Sequence, residues 1–89
     1  MDASDQIVRA AESIPANIAE GYAKGVNRDC IRFQKIARGS AAELESRLRV
    51  AMLARRLPDD TALKLIKHCG RVRFLITRFM ESVERRMAA

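Results

Sequence analysis

Tryptophan is absent from this chain, and its 89 residues include only one tyrosine, three phenylalanines, one histidine, two cysteines, two prolines and four glycines. Strands lean on aromatic and β-branched side chains, so an aromatic content of 4 % argues against a sheet. It also leaves few platforms for stacking single-stranded bases, since Tyr22, Phe33, Phe74 and Phe79 are expected to be taken up by packing. Two cysteines, Cys30 and Cys69, make no disulfide framework. With His68 they fall short of the four ligands of a closed zinc site, and no CxxC or HxxxH spacing supplies the rest. Buried thiols in a reducing, cytoplasmic protein are the expectation, with no metal and no cofactor. Apolar runs stop after a few residues, far below the ~20 that cross a bilayer, and the acidic start at Asp2 and Asp5 is unlike a signal peptide.

Catalytic signatures are missing too. No nucleophile motif frames a serine or cysteine. Gly21 and Gly25 flank Tyr22, Ala23 and Lys24, which is no phosphate-binding loop. Glu20, Glu43 and Glu45 are better placed for helix ion pairs than for acid–base work. The chain is expected not to be an enzyme.

What is present is helix. Hydrophobic residues reach 48 %, mostly Ala, Leu, Ile, Val and Met, enough for one small core in a single domain over residues 1–89. Breaks at Gly21–Asn27 and at Leu57-Pro58-Asp59-Asp60 divide the chain into helices over about 4–22, 28–56 and 61–87. The first has an apolar stripe of Ile7, Ala11, Ile14 and Ile18, with Pro15 expected to kink or break it. The second, capped by Asn27, buries Phe33, Ala37, Ser40, Leu44, Leu48 and Ala51. Gly39-Ser40 in mid-helix suggests that another backbone comes close. Glu43 with Arg47, and Glu45 with Arg49, stand four apart with the acid first, the favourable order. The third, capped by Asp60 or Thr61, has the seam Ala62, Leu65, Cys69, Val72, Ile76, Phe79 or Met80, Val83 and Met87. The fold class is all-α: an up-down antiparallel bundle of three helices.

Charge is uneven along the chain, which carries +6 in all. Residues 1–27 hold two basic and four acidic groups, net −2; residues 28–57 hold eight and three, net +5; residues 58–89 hold seven and four, net +3. At ~100° per residue, Arg28, Lys35, Arg38, Arg49 and Arg56 fall opposite the buried side of the second helix. Lys64, Lys67, Arg71, Arg78 and Arg85 do the same on the third. Two such stripes can bind phosphate backbones without sequence preference, although a charged solvent face is also what any helix shows. Ile31, Leu53, Leu63 and Phe74 fall within or beside the polar stripes. Together, in a chain with so small a core, they suggest a subunit contact.

Two strings carry a resemblance: Ser13-Ile14-Pro15-Ala16-Asn17-Ile18-Ala19-Glu20-Gly21, and later Gly39-Ser40-Ala41-Ala42-Glu43-Leu44-Glu45. The pair resembles the four-helix bundle proteins encoded within intervening sequences of bacterial 23S rRNA genes, and the related accessory variability proteins of diversity-generating retroelements. The resemblance runs from about Arg9 to the end. It implies a left-handed up-down bundle that assembles into a ring, typically a homopentamer, and brings no catalytic residues. The retroelement relatives bind nucleic acid and associate with a reverse transcriptase, so RNA, DNA, a reverse transcriptase or a ribosomal component are the implied partners. Pro15, Asn17, Glu20, Gly39, Ser40, Glu43 and Glu45 are the motif positions, with structural roles between helices or subunits. Members usually begin with a further amphipathic helix, which this chain starts too late to contain; its groove is expected to stand open unless a neighbour fills it. The leading expectation is a non-enzymatic, self-associating bundle with basic faces toward nucleic acid or a nucleoprotein. The alternative is an adaptor that takes a partner helix in an apolar groove, with no nucleic acid.

Overall fold

The computed structural model describes residues 2–89 and contains three helices: α1 (Ala3–Ala23), α2 (Arg28–Leu53) and α3 (Asp59–Ala88). Side-chain contacts fix their directions. Along α1, Gln6, Ser13 and Ile18 meet Arg47, Ser40 and Gln34 of α2 in turn, so one index rises as the other falls. Glu45 and Arg38 of α2 likewise meet Arg73 and Thr77 of α3. The topology is up-down-up.

α2 is the central element. It packs along both α1 and α3, whereas the backbones of α1 and α3 do not come together. The Cα envelope measures 50 × 24 × 13 Å. Helices packed at 8–10 Å between axes fill such a width only when three lie side by side. The molecule is therefore a shallow layer one helix thick. Its concave side is floored by Ala37 and Leu48 and bordered by α1 and α3. At one end Ile18 packs on the Ala37–Ile76–Met80 cluster, and the Tyr22 and Phe79 rings lie 6.4 Å apart.

The helix ends follow local rules. Asp2 caps α1 by accepting from the Asp5 N–H at 2.9 Å. Asn27 caps α2 as expected, its Oδ1 accepting from the Cys30 N–H at 3.0 Å. α2 stops at Leu53, three residues earlier than expected, because Arg55 turns left-handed at φ 62°. The Arg56 and Arg55 N–H groups then donate to the Ala51 and Met52 carbonyls at 2.9 and 3.0 Å, a Schellman closure with arginine where glycine is usual. Arg55→Gly is expected to gain about 0.5–1 kcal/mol in urea unfolding, the left-handed penalty less the entropy cost of glycine; a loss would contradict this backbone. α3 starts at Asp59 behind Pro58, with no side-chain cap, so Asp60 and Thr61 lie inside the helix and do not cap it.

Other expectations need correcting. α1 runs through Pro15 without a break. On α1 Ala10 is buried and Ala11 is exposed, and on α3 Ile66 is buried where Leu65 and Met87 are exposed. Tyr22 and Phe74 are exposed rather than packed. A Cβ at Gly39 would meet nothing within 4 Å, so among the described residues no other backbone approaches there. The close approach is at Gly21, where a Cβ would stand 2.9 Å from Phe33 Cβ and 3.1 Å from the Cys30 carbonyl. Glu45 does not pair with Arg49. It spans to Arg73 on α3, both carboxylate oxygens 3.2 Å from the guanidinium, since at 100° per residue Glu45 faces α3 and Arg49 has turned past it. Glu43 does pair with Arg47, at 2.9 Å.

Candidate nucleic-acid interface

The side of α3 that packs on α2 is set by Ala62, Ile66, Cys69, Ile76 and Met80, all buried. Directly opposite, within about 60° of the helix wheel, fall Lys64, Lys67, Arg71, Arg78 and Arg85, all exposed. They form the free long edge of the layer. From residue 64 to 85 it extends roughly 32 Å at 1.5 Å per residue, close to one turn of a nucleic-acid duplex. No acidic residue enters that sector between Lys64 and Arg85; the others there are His68, Phe74, Leu75 and Ser82. Arg78 reaches sideways to Glu81, with its Nε 4.0 Å from the carboxylate, and its guanidinium lies 5.8 Å from the Phe74 ring centre. Among the described residues Lys64, Lys67, Arg71 and Arg85 form no ion pair.

The α2 stripe is smaller than expected. Arg28, Lys35 and Arg49 are exposed on the convex side of the layer. Arg38 is half-buried, donating to Thr77 Oγ1 at 3.1 Å across the α2–α3 seam, so its side chain is tied to the seam rather than standing out on the open surface. Arg56 is exposed but lies in the loop beyond α2. The two stripes do not merge. α3's convex side, with Leu63, Phe74 and Glu81, separates them, and the stripes look about a right angle apart. Of the expected subunit-contact residues, Leu53, Leu63 and Phe74 are exposed, whereas Ile31 packs against the core beside Ala37 and Ile76.

Both thiols are buried. Burial pushes Cys69 above its ordinary value, with nearby Glu45 adding to the rise and Arg73 opposing it, so it stays a protonated thiol at neutral pH. No group of three or more His, Cys, Asp or Glu side chains among the described residues is placed to hold a metal ion. No described helix is long and apolar enough to cross a membrane.

The model of the 23S rRNA-intervening sequence protein family matches residues 1–78. The chain belongs to that family. Comparison with curated proteins and with solved structures gave no match. In this 23S rRNA-intervening sequence protein the two quoted strings form the α1–α2 seam. Ser13 and Ser40 share a hydroxyl hydrogen bond of 2.8 Å. Asn17 Nδ2 donates to the Ser13 carbonyl and hydroxyl at 2.8 and 3.0 Å. Gly21 seats the end of α1 on α2. Glu20 pairs with Lys24 at 3.6 Å. Ser40 and Glu45 thus join helices, while Asn17, Glu20 and Glu43 bond within their own. Sequence reasoning missed Gln34, which has no exposed surface and donates from Nε2 to the Ile18 carbonyl at 3.1 Å. A glutamine within a helix carries no mark of burial, and only its neighbourhood on the wheel, beside Cys30, Ala37 and Ala41, could have hinted at it.

Proposed function

We propose that this 23S rRNA-intervening sequence protein acts without catalysis, as a self-associating cytoplasmic helical unit that holds nucleic acid, or a nucleoprotein partner, along the cationic edge of α3. The observation that carries the reading is that edge: five exposed cations in one line with no acid among them. Charge repeated along one straight helix over a duplex turn neutralises phosphates and releases counterions, and it recognises backbone and shape rather than bases. A ribosomal component or a reverse transcriptase would be reached through the nucleic acid it carries. The largely apolar concave side, where Val8, Leu48 and Leu65 line a depression, supports a second reading, an adaptor that takes a partner protein and no nucleic acid.

Fluorescence anisotropy with a labelled structured RNA and a labelled DNA duplex, across a salt series, separates the two. Log affinity should fall linearly with log salt, with a slope near −4 to −5 if all five cations contact duplex phosphates. Lys67→Glu, Arg78→Glu and Arg85→Glu together should reduce the slope by about 0.9 for each cation removed and abolish binding at physiological salt. These positions lie on the surface, so the variant should stay folded and helical, with melting lowered only slightly by the lost Arg78–Glu81 pair and the acid placed in the last turn of α3. Absent binding at low salt, or binding untouched by the triple variant, would overturn the reading in favour of the adaptor.

A further inference from the structure

We propose that the α1–α2 seam carries a small-molecule site on the convex side of the layer, which takes an amphiphile with an oxyanion head, a carboxylate or a phosphate monoester, on an aliphatic body. The site is separate from the cationic edge of α3 and goes beyond the nucleic-acid reading.

Its polar half follows from helical spacing. Gln6, Arg9 and Ser13 recur at steps of three and four along α1, and Ser40, Glu43 and Arg47 do so along α2. The helices are antiparallel, so Gln6 meets Arg47 and Ser13 meets Ser40, and the two rows face each other across the seam. Between them lies a depression of about 310 Å³. At 100° per residue Arg9 and Ser13 point away from the side of α1 that holds Ile18 and Tyr22, so the depression opens away from the concave groove.

The depression presents donors. Arg47 is gripped on two sides, by Glu43 at 2.9 Å along α2 and by Gln6 Oε1 from across the seam. Glu43 is thereby occupied in fixing a guanidinium. Arg9 forms no ion pair among the described residues. Ser40 is only 9 % exposed, and its hydroxyl bonds that of Ser13, which also accepts from Asn17. Two hydroxyls carry two protons, and the bond between them uses one. The second finds no acceptor among the described residues, and an oxygen seated in the depression would supply it. Arginines held in place beside a hydroxyl donor suit the oxygens of a carboxylate or phosphate.

An apolar half adjoins it. Glu43 and Arg47 also border a second depression, of about 520 Å³, walled by Ile7, Val50, Ala51 and Ala54. Val50 is 63 % exposed there, and the two alanines are short enough to leave a trough. From residue 47 to 54 α2 rises roughly 10 Å, room for an alkyl chain of medium length. Arg56 stands beside this trough, so three guanidiniums against one carboxylate surround the two depressions. Such a field draws in an anion and repels a cation.

A ¹H–¹⁵N NMR titration of the 89-residue chain with octanoate, kept below micelle formation, tests the site. Amide signals of residues 6–13, 40–47 and 50–54 should move saturably, with a Kd of about 1 mM or tighter. Octyl phosphate should move the same signals, and the tighter of the two names the natural head group. Octanol, without charge, and octylamine, with the opposite charge, should each bind at least about tenfold more weakly. Hexanoate, two methylenes shorter, should lose about fivefold. Arg9→Gln and Val50→Glu change exposed side chains, so both variants should stay helical while octanoate affinity falls about tenfold. No saturable movement up to about 20 mM overturns the proposal. So does octanol or octylamine binding as tightly as octanoate, or movement confined to the concave face around Val8, Leu65 and Leu75. The variant carrying Lys67→Glu, Arg78→Glu and Arg85→Glu should take octanoate as the parent does, so this site and the nucleic-acid edge can each fail alone.

Discussion

Gly21→Ala is expected to lower the unfolding free energy by about 2 kcal/mol, and Gly39→Ala to raise it by up to about 1 kcal/mol. The opposite signs come from what each new methyl meets. At Gly39 it meets nothing within 4 Å, so only the better helix propensity of alanine counts. At Gly21 it would stand 2.7 Å from Gln34 Nε2, 2.9 Å from Phe33 Cβ and 3.1 Å from the Cys30 carbonyl oxygen. The glutamine amide can shift, but a Cβ and a carbonyl move only with the whole of α2. Relief therefore means prising the end of α1 away from α2, which also loosens the bond from Gln34 to Ile18. For a chain of this size roughly 2 kcal/mol is a fall of about 8–16 °C in melting temperature. Thermal unfolding followed by circular dichroism reads both signs. Equal behaviour of the two variants would disprove the close α1–α2 approach.

A larger loss is expected from Gln34→Glu. Gln34 has no exposed surface, and its Oε1 has no hydrogen-bond partner in the structure. A carboxylate there would face the Ile18 carbonyl that now accepts from Nε2, with no cation bonded to it. Leaving such a charge buried and unpaired costs roughly 3–5 kcal/mol. The protonated acid can still donate to Ile18, so the variant's folded-state pKa must lie above the ordinary glutamate value of about 4.3. A raised pKa makes the sign definite. The stability of the variant should be nearest to the parent's below about pH 4.3 and be lost as pH rises through the folded-state value. Urea unfolding at pH 4 and pH 7.5, with parent and variant side by side, measures the difference. A pH-independent gap between the two proteins would show that position 34 is hydrated.

Much of this protein was legible as periodicity. Steps of three and four along residues 28–53 and 59–88, together with Asn27 as a cap and Gly25 at a left-handed turn, mark the helices because capping and backbone sterics act over a few residues. The basic edge of α3 was legible for the same reason, since one straight helix fixes which of its own residues share a side. Helix ends were less so: the left-handed turn at Arg55 and the start of α3 behind Pro58 rest on backbone choices that several residue types can make.

What one helix shows another was not legible. Periodicity says which side of α2 is buried but not whether its two neighbours close into a triangle or lie flat. The 50 × 24 × 13 Å layer settled that, and with it the exposure of Tyr22, Leu65 and Leu75, the reach of Glu45 to Arg73 rather than Arg49, and the loss of Arg38 to the α2–α3 seam. Local sequence determines dihedral angles and the faces they align. The choice of partner for each face depends on contacts between residues far apart in the chain, and only the tertiary structure decides those.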